Sequence, residues 1–521
     1  MKRATTRTIF CATAWMVCSV AVLAQEPPSD HSASSGSSTE QKKGTGVVPP
    51  GVKLISQMPA AANSSKPFNF PVAATKTLSN GLRVFVVTDH SQPAVAARLV
   101  IMSAGTIKDP AAMPGVARMT ANMLTQGTEK RSARDIAEAI DFVGGSLEAS
   151  ASSDATDVSL DVVRKDLATG LDLMSDVVLH PAFRAEELER QRQQLLSSLT
   201  VEYSDPDFLA STAFSRVVYG ASPYGWPSEG TPDTIKKLDP QLLAKFHGAN
   251  YAPSQSLLAF AGDITPEEAF AMAEKYFGAW PAVKVVMSQP AAPPPLHGQH
   301  IWLIDKPDAV QTQIRVGNLG IQRSDPNFIP VVVMNRIFGG GYNSRLNTEV
   351  RVKQGLTYDA TSYFSPHRHA GSFSVATFTR TSATVDALKL VIDLIAKMSA
   401  GDVTQEELDF ARDYLAGTYP IQSETAEQVA GRVLTVVAYD LPRDYNYTYT
   451  ERISAVTSAQ VREMARKYLS AADLDIVLAG NVGAFREALK KALPGAKYDE
   501  IPFDKIDILA PDLRASASAA K

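Results

Sequence analysis

Cysteine is almost absent from this sequence of 521 residues, and its two copies, Cys11 and Cys18, lie close to the N-terminus. Three basic residues there precede an apolar run, residues 9–23, which ends in small side chains. This pattern predicts a cleavable secretory signal peptide over residues 1–24, with an acyl-anchored form as the alternative left open. The mature chain would then have no thiol, disulfide or cysteine metal ligand. Export without disulfides indicates a bacterial periplasm.

Excess positive charge and long apolar runs are lacking as well. The 51 Lys and Arg residues are outnumbered by 55 Asp and Glu, and loss of the three basic residues of the leader lowers the first count to 48. A net charge of about −7 excludes a strongly basic nucleic-acid-binding protein. The run at residues 9–23 is too short and too close to the N-terminus to predict a membrane span.

Composition divides the rest of the chain into segments. Residues 25–66 are rich in Ser, Gly, Pro and Gln and poor in large apolar side chains, which predicts a disordered tether. A Pro-rich stretch, residues 286–297, predicts a linker in the middle of the remainder. We therefore expect two domains, 70–285 and 298–505. The last residues, 506–521, are predicted to form a flexible tail.

The two predicted domains resemble each other. A helical pattern opens at Glu187 in the first and at Glu407 in the second. An apolar strand ends at Gly262 in the first and at Gly480 in the second. The offsets of these two landmarks along the chain are nearly equal, which indicates duplication of one unit. Because strands and helices are mixed without a strict βαβ rhythm, we expect an α+β fold, each domain a mainly antiparallel sheet packed with helices.

Five motifs, spread over both domains, carry a family resemblance. They are Asn80-Gly-Leu-Arg-Val84, Phe142-Val-Gly-Gly-Ser-Leu147, His180-Pro-Ala-Phe183, Phe338-Gly-Gly-Gly-Tyr-Asn-Ser-Arg-Leu346 and Glu349-Val-Arg-Val-Lys-Gln-Gly-Leu-Thr-Tyr358. With them the chain resembles the pitrilysin/insulinase metallopeptidases over roughly residues 70–505. The resemblance implies two homologous domains arranged as half of a clamshell.

The zinc motif of that family is missing. Active members have His-x-x-Glu-His on a helix, in which two histidines bind zinc and the glutamate is the general base. The resemblance puts Arg118 at the first histidine, Ala121 at the base and Asn122 at the second histidine. The third ligand, a glutamate of a later helix, corresponds to Ser198. We therefore expect no metal and no catalytic residue in this chain, and Arg118 and Asn122 are predicted to form the polar face of a core helix.

Two histidine pairs are the remaining candidates for metal ligands. His297 and His300 follow the Pro-rich linker, and His367 and His369 lie in a predicted turn. Neither pair has the His-x-x-x-His spacing of a helical zinc site with a nearby carboxylate. Solvated loop histidines are the expected interpretation of both pairs.

A substrate-binding element of the family is present. Active members use an arginine and a tyrosine, seven residues apart, to bind the substrate opposite the zinc, and Arg351 and Tyr358 match them. A guanidinium gives a charge-assisted bond to a peptide oxygen, and a tyrosine hydroxyl donates to a carbonyl or its developing oxyanion. The alternative is a surface arginine and a core tyrosine beside a turn.

The resemblance therefore implies a specific role. Some members divide the work between two chains, one with the zinc motif and one with the arginine–tyrosine pair. This sequence matches the second type, which predicts a non-catalytic, substrate-binding subunit of a periplasmic heterodimeric zinc metallopeptidase acting on unfolded peptides. Zinc is expected in the homologous partner subunit. The alternative is a catalytically inert peptide-binding or scaffold protein of the same fold without a peptidase partner.

Overall fold

The computed structural model describes residues 68–110, 113–286 and 289–514, so the predicted signal peptide and the whole predicted tether, residues 25–66, lie outside the described residues. The first half contains β1 (Ala74–Thr77), β2 (Arg83–Thr88), β3 (Ala94–Ile101), α1 (Val116–Leu124), α2 (Ala133–Phe142), β4 (Ser146–Ala151), β5 (Thr156–Val163), α3 (Leu167–Leu179), α4 (Ala185–Glu202), α5 (Pro206–Tyr219), α6 (Pro232–Ile235), α7 (Pro240–Asn250), β6 (Ser256–Gly262) and α8 (Pro266–Phe277).

The second half repeats this order with a few changes. It contains β7 (Gln299–Asp305), β8 (Gln311–Leu319), α9 (Phe328–Phe338), a π-helical segment (Asn347–Lys353), β9 (Ala360–Pro366), β10 (Gly371–Arg380), α10 (Thr384–Ser399), α11 (Gln405–Ile421), α12 (Ala426–Ala438), α13 (Tyr445–Ser454), α14 (Ser458–Tyr468), β11 (Leu474–Gly480), α15 (Arg486–Ala492) and β12 (Lys497–Pro502). The π-helical segment stands where α2 stands in the first half.

Each half forms one six-stranded sheet, and the two sheets share five strands in the same order. The first sheet runs β1-β2-β6-β3-β5-β4 and the second β12-β7-β11-β8-β10-β9. Only the pairs β2–β6, β7–β11 and β7–β12 are parallel among the described strands. The edge strands differ, since β1 precedes its sheet in the chain and β12 follows its own. The predicted duplication and the mainly antiparallel α+β fold are confirmed.

Local sequence signals set several of these elements. The turn between β1 and β2 contains Gly81, whose φ of +92° is unstrained only for glycine. Helix α2 begins with a capping box, in which Ser132 and Asp135 satisfy each other's backbone N–H groups. Both the hairpin and the start of this helix are predictable from the sequence.

The two halves exchange one helix each. Helix α5, although part of the first half, packs on β8 and β11 of the second sheet, and α12 of the second half packs on β3 and β6 of the first. The side chains of α5 that meet the second sheet are apolar, among them Phe214 and Val218. From Asn69 onward the described residues form one compact unit. Each sheet is therefore covered in part by a helix from the other half, although the two halves are duplicates of one unit.

Equivalent arginines of the two sheets lie beneath the exchanged helices. Arg98 of β3 donates to Asp157 at 2.8 Å beneath α12, where a Cβ at Gly431 would lie 2.5 Å from the Arg98 guanidinium. Arg315 of β8, the corresponding strand of the second sheet, donates to Asp207 of α5 at 2.5 Å. Each arginine is largely buried, so its carboxylate partner keeps the charge from being buried alone.

The predicted flexible tail over residues 506–521 is wrong for residues 506–514. Leu513 is fully buried in the apolar cluster that also contains Trp302, and Arg514 forms an ion pair with Asp499 at 2.9 Å. Arg216 of α5 donates to the carbonyl of Leu509 at 2.9 Å. Burial of apolar side chains against the exchanged helix gives this segment contacts that its composition does not predict. Residues 515–521 lie outside the described residues.

Replacing Gly262 by alanine is expected to lower the free energy of unfolding by about 2–5 kcal/mol. Its φ is +113°, and a Cβ would lie 2.2 Å from the carbonyl oxygen of Ala94 in the neighbouring strand. Guanidinium unfolding measures the change. The matched control is Gly248→Ala in α7, where a Cβ meets nothing within 4 Å, and where a gain of up to about 1 kcal/mol is expected. Equal stability of Gly262→Ala and wild type would contradict this account of the strand end.

Within the part of the chain that the structure describes, there is no helix with the length and apolar character that a membrane crossing requires.

Candidate functional site

Helix α1 contains Arg118, Ala121 and Asn122, three of the four residues that stand where active members of the family have zinc ligands and the general base. Its N-terminus is fixed by Asp109, whose carboxylate accepts from the backbone N–H groups of Gly115 at 2.8 Å and Ala117 at 2.7 Å. Burial raises the pKa of Asp109 to about 7, although the two backbone donors favour its charged form. The sequence does not predict this cap, because Asp109 lies several residues before the helix, across the turn at Gly115.

Arg118 forms an ion pair that fills this region. One Nη lies 3.2 Å from a carboxylate oxygen of Glu229, and the other donates to the carbonyl of Ala151 at 3.0 Å. The Arg118 side chain is 19% exposed and that of Glu229 is 26% exposed. Burial raises the pKa of Glu229, Arg118 opposes that shift, and Glu202 adds to it. The expectation that Arg118 is merely a polar-face residue is therefore incomplete, since the guanidinium neutralises a largely buried carboxylate.

The side chains at the four positions do not fit zinc. Ala121 is fully buried and has no ligand atom, and Asn122 offers only an amide. Ser198 is exposed on α4 and donates to Glu202 at 2.8 Å. Zinc sites in proteins use imidazole, thiolate or carboxylate ligands, and the Arg118 guanidinium repels a dication. Across residues 68–110, 113–286 and 289–514, no three His, Cys, Asp or Glu side chains are grouped so that they could hold a metal ion.

Removal of Arg118 from its ion pair with Glu229 is expected to destabilise the fold by an amount that depends on pH. Arg118→Ala is expected to lower the free energy of unfolding by about 1–3 kcal/mol at pH 8, because Glu229 is then charged, largely buried and unpaired. At pH 5 the loss should be smaller, since the raised pKa lets Glu229 bind a proton in the folded state. Unfolding curves of wild type and variant at both pH values measure this.

The control for that prediction removes both charges. Arg118→Ala combined with Glu229→Gln should recover part of the loss at pH 8, because no buried charge is left without a partner. A loss of the same size at both pH values would show that Arg118 contributes packing rather than charge compensation.

Arg351 and Tyr358 lie in the second half, between α9 and β9. Arg351 is half-buried within the π-helical segment Asn347–Lys353, a rare geometry that is frequent at functional sites. Tyr358 is 78% exposed, so the alternative of a core tyrosine is wrong. Within the described part of the chain, neither side chain makes a hydrogen bond or an ion pair. Both have donors available to a ligand.

A tightly packed loop, residues 339–346, follows α9, begins with three glycines and contacts Arg351 through Tyr342. A Cβ at Gly341 would overlap the guanidinium of Arg336, which donates to the carbonyl of Gly340. At the end of the loop, Arg345 makes two bonds with Glu407 of α11, at 2.5 and 2.7 Å. The glycines of this loop allow close packing that a larger side chain would prevent. The loop therefore holds its backbone close to α9 and α11.

The prediction of solvated loop histidines is wrong for His300 and His367. His300 lies in β7 and is paired with Asp499 of β12 at 2.7 Å. His367 occupies the predicted turn, but its ring stacks on Tyr224 of the first half with centroids 4.6 Å apart. Burial lowers the pKa of both histidines. Both partners are distant along the chain, so no local pattern in the sequence predicts them.

Family models match both halves. Residues 83–224 match a model described as insulinase (peptidase family M16), and residues 237–415 match one described as peptidase M16 inactive domain. A crystal structure of a peptidase M16 inactive domain from Pseudomonas fluorescens is 31% identical, with a TM-score of 0.74, and the match covers 78% of this chain and 98% of that one. The chain belongs to peptidase family M16. The pitrilysin/insulinase resemblance and the expected fold are thereby confirmed.

Other relatives place this M16 chain among proteins of comparable length. An uncharacterized zinc protease of Mycobacterium leprae is 28% identical over 401 residues, which cover 76% of this chain and 88% of the relative. A protein of Arabidopsis thaliana, described as a probable mitochondrial-processing peptidase subunit beta, is 23% identical over 446 residues, with 83% and 82% covered. A Helicobacter pylori protease with 19% identity and a TM-score of 0.74 shares the fold.

Proposed function

We propose that this M16 chain is the non-catalytic, substrate-binding subunit of a periplasmic heterodimeric zinc metallopeptidase that acts on unfolded peptides. One contrast within the molecule supports the proposal. In the first half, Arg118 and Glu229 occupy the region of the family's metal site. In the second half, Arg351 and Tyr358 have unused donors, and Tyr358 is 78% exposed. A chain built in this way can hold a peptide but needs another chain to cut it.

The residues of this chain have defined roles in the proposal. Arg351 donates a charge-assisted hydrogen bond to a carbonyl oxygen of the bound peptide and so fixes its backbone. Tyr358 donates its hydroxyl to the carbonyl that is attacked, where negative charge develops. Hydrolysis requires the zinc of the partner, whose role in the family is to lower the pKa of a bound water. Fixing the peptide in one orientation makes the reaction effectively unimolecular.

The compartment and the partner are part of the same proposal. The leader pattern over residues 1–24 and the lack of cysteine after it favour export to a periplasm. A relative described as a peptidase subunit supports an assembly of unlike chains. The second candidate is a peptide-binding or scaffold protein without a peptidase partner, which the same exposed pair would also permit.

Co-purification from the native source tests the two candidates. The proposed function predicts a homologous chain with His-x-x-Glu-His and without the arginine–tyrosine pair, identified by mass spectrometry in the same fractions. Recovery of this chain with peptides bound but without any such homologue would contradict the heterodimer and support the scaffold protein.

A further inference from the structure

We infer that Tyr342 is a positioning residue that holds Arg351 ready for the peptide, an inference that rests on the proposed function. The Arg351 guanidinium carbon lies 5.1 Å from the centroid of the Tyr342 ring. A cation near an aromatic ring is attracted to it by the negative charge of the ring face. This is the one contact of the Arg351 side chain among the ion pairs, hydrogen bonds and ring contacts of the described residues.

The backbone at Tyr342 is held in place by neighbouring residues. Its carbonyl oxygen accepts from the side-chain amide of Asn347 at 2.7 Å, and Asn347 is 2% exposed. The preceding residue, Gly341, lies against the Arg336 guanidinium, too close for any Cβ. The ring of Tyr342 nevertheless remains 60% exposed. Because the backbone of Tyr342 is fixed but its ring is not part of the core, the ring is available to contact other surface groups, such as the Arg351 guanidinium.

The duplication supplies an internal comparison. The loop between α1 and α2 in the first half corresponds to the loop that contains Tyr342, and residues 125–132 of that loop have no aromatic side chain. Helix α2 replaces the π-helical segment there, and its last turn has no basic residue, whereas Arg351 lies in the last turn of the π-helical segment. An aromatic ring in the loop and an arginine in the last turn of the following helical segment thus occur together in the second half, and both are absent from those two places in the first half.

The physical role follows from the mobility of arginine. A free arginine side chain loses much rotamer entropy when it is immobilised on a ligand. Contact with the Tyr342 ring restricts the guanidinium before the peptide arrives, which leaves less entropy to lose on binding. The ring face leaves the N–H groups at the edge of the guanidinium plane available to carbonyl oxygens.

A double-mutant cycle tests this role on the full mature chain. The probe is fluorescein-labelled carboxymethylated lactalbumin, a permanently unfolded chain, and fluorescence anisotropy gives its Kd. Tyr342→Ala should weaken binding by about three- to tenfold, whereas Tyr342→Phe, which keeps the ring, should bind as wild type. In an Arg351→Ala background, Tyr342→Ala should add no further loss. Phe142→Ala, which removes an aromatic ring that is 90% exposed in the first half, is the matched control and should have no effect.

The outcomes separate this inference from the proposed function. If Arg351→Ala weakens binding but Tyr342→Ala does not, the positioning role is wrong and the proposed function stands. If the two losses simply add, Tyr342 contacts the peptide itself and does not act through Arg351. If Arg351→Ala and Tyr358→Phe both bind the probe as wild type does, the proposed function fails and the inference fails with it.

Discussion

Replacing Arg351 by alanine is expected to lower kcat/KM of the assembled, zinc-loaded complex by about 10- to 100-fold. A charge-assisted hydrogen bond contributes about 1.5–3 kcal/mol, and about 1.4 kcal/mol corresponds to a tenfold change in rate. Because the Arg351 side chain makes no ion pair or hydrogen bond within the described residues, its removal leaves no buried carboxylate behind. The fold should be unaffected, which an unchanged thermal midpoint checks.

Tyr358→Phe tests the second member of the pair. The variant keeps the ring and removes the donor, so kcat/KM should fall by about tenfold, or more if the hydroxyl meets the oxyanion in the transition state. Loss in kcat rather than in KM would indicate the transition-state role.

The matched control for the pair is Arg134→Ala. Arg134 lies on α2, the first-half helix that corresponds to the π-helical segment, and its side chain is 84% exposed. This substitution removes one surface charge without touching the proposed site and should leave turnover unchanged. Wild-type turnover from both Arg351→Ala and Tyr358→Phe would mean that the pair is structural.

The second prediction concerns zinc binding and peptidase activity of this chain without a partner. The purified mature chain is expected to bind no stoichiometric zinc and to leave unfolded peptides intact, because a guanidinium, a methyl, an amide and a hydroxyl stand at the four positions of the family's metal chemistry. Elemental analysis and incubation with carboxymethylated lactalbumin, with and without a chelator, measure both properties. Tight binding of one zinc per chain together with chelator-sensitive cleavage would overturn the assignment.

The sequence predicts the repeated architecture well, because its signals are local. Periodic apolar residues mark α4 and α11, and the strands that end at Gly262 and Gly480 carry their own turn signal. The exchange of α5 and α12 between the halves could not be predicted in this way. An apolar helix face has the same pattern whichever sheet it covers, and only the folded chain decides between them.

The candidate site shows the same division between local and distant information. The substituted zinc motif and the spacing of Arg351 and Tyr358 are visible in the sequence. The partner of Arg118 is not, because Glu229 lies far along the chain, beyond α5, in a segment without a motif. The π-helical geometry around Arg351 is equally hidden, since no residue type is specific to it.

The central claim is that this chain contributes peptide binding to an assembly in which another chain contributes zinc. Light scattering combined with elemental analysis of the chain co-expressed with a zinc-bearing homologue tests it most directly. The proposed function predicts a stable 1:1 complex with one zinc per pair, since the family resemblance implies half of a clamshell, whose open face a homologous chain would cover. A monomer of this chain that remains separate from the zinc-bearing homologue would contradict the claim.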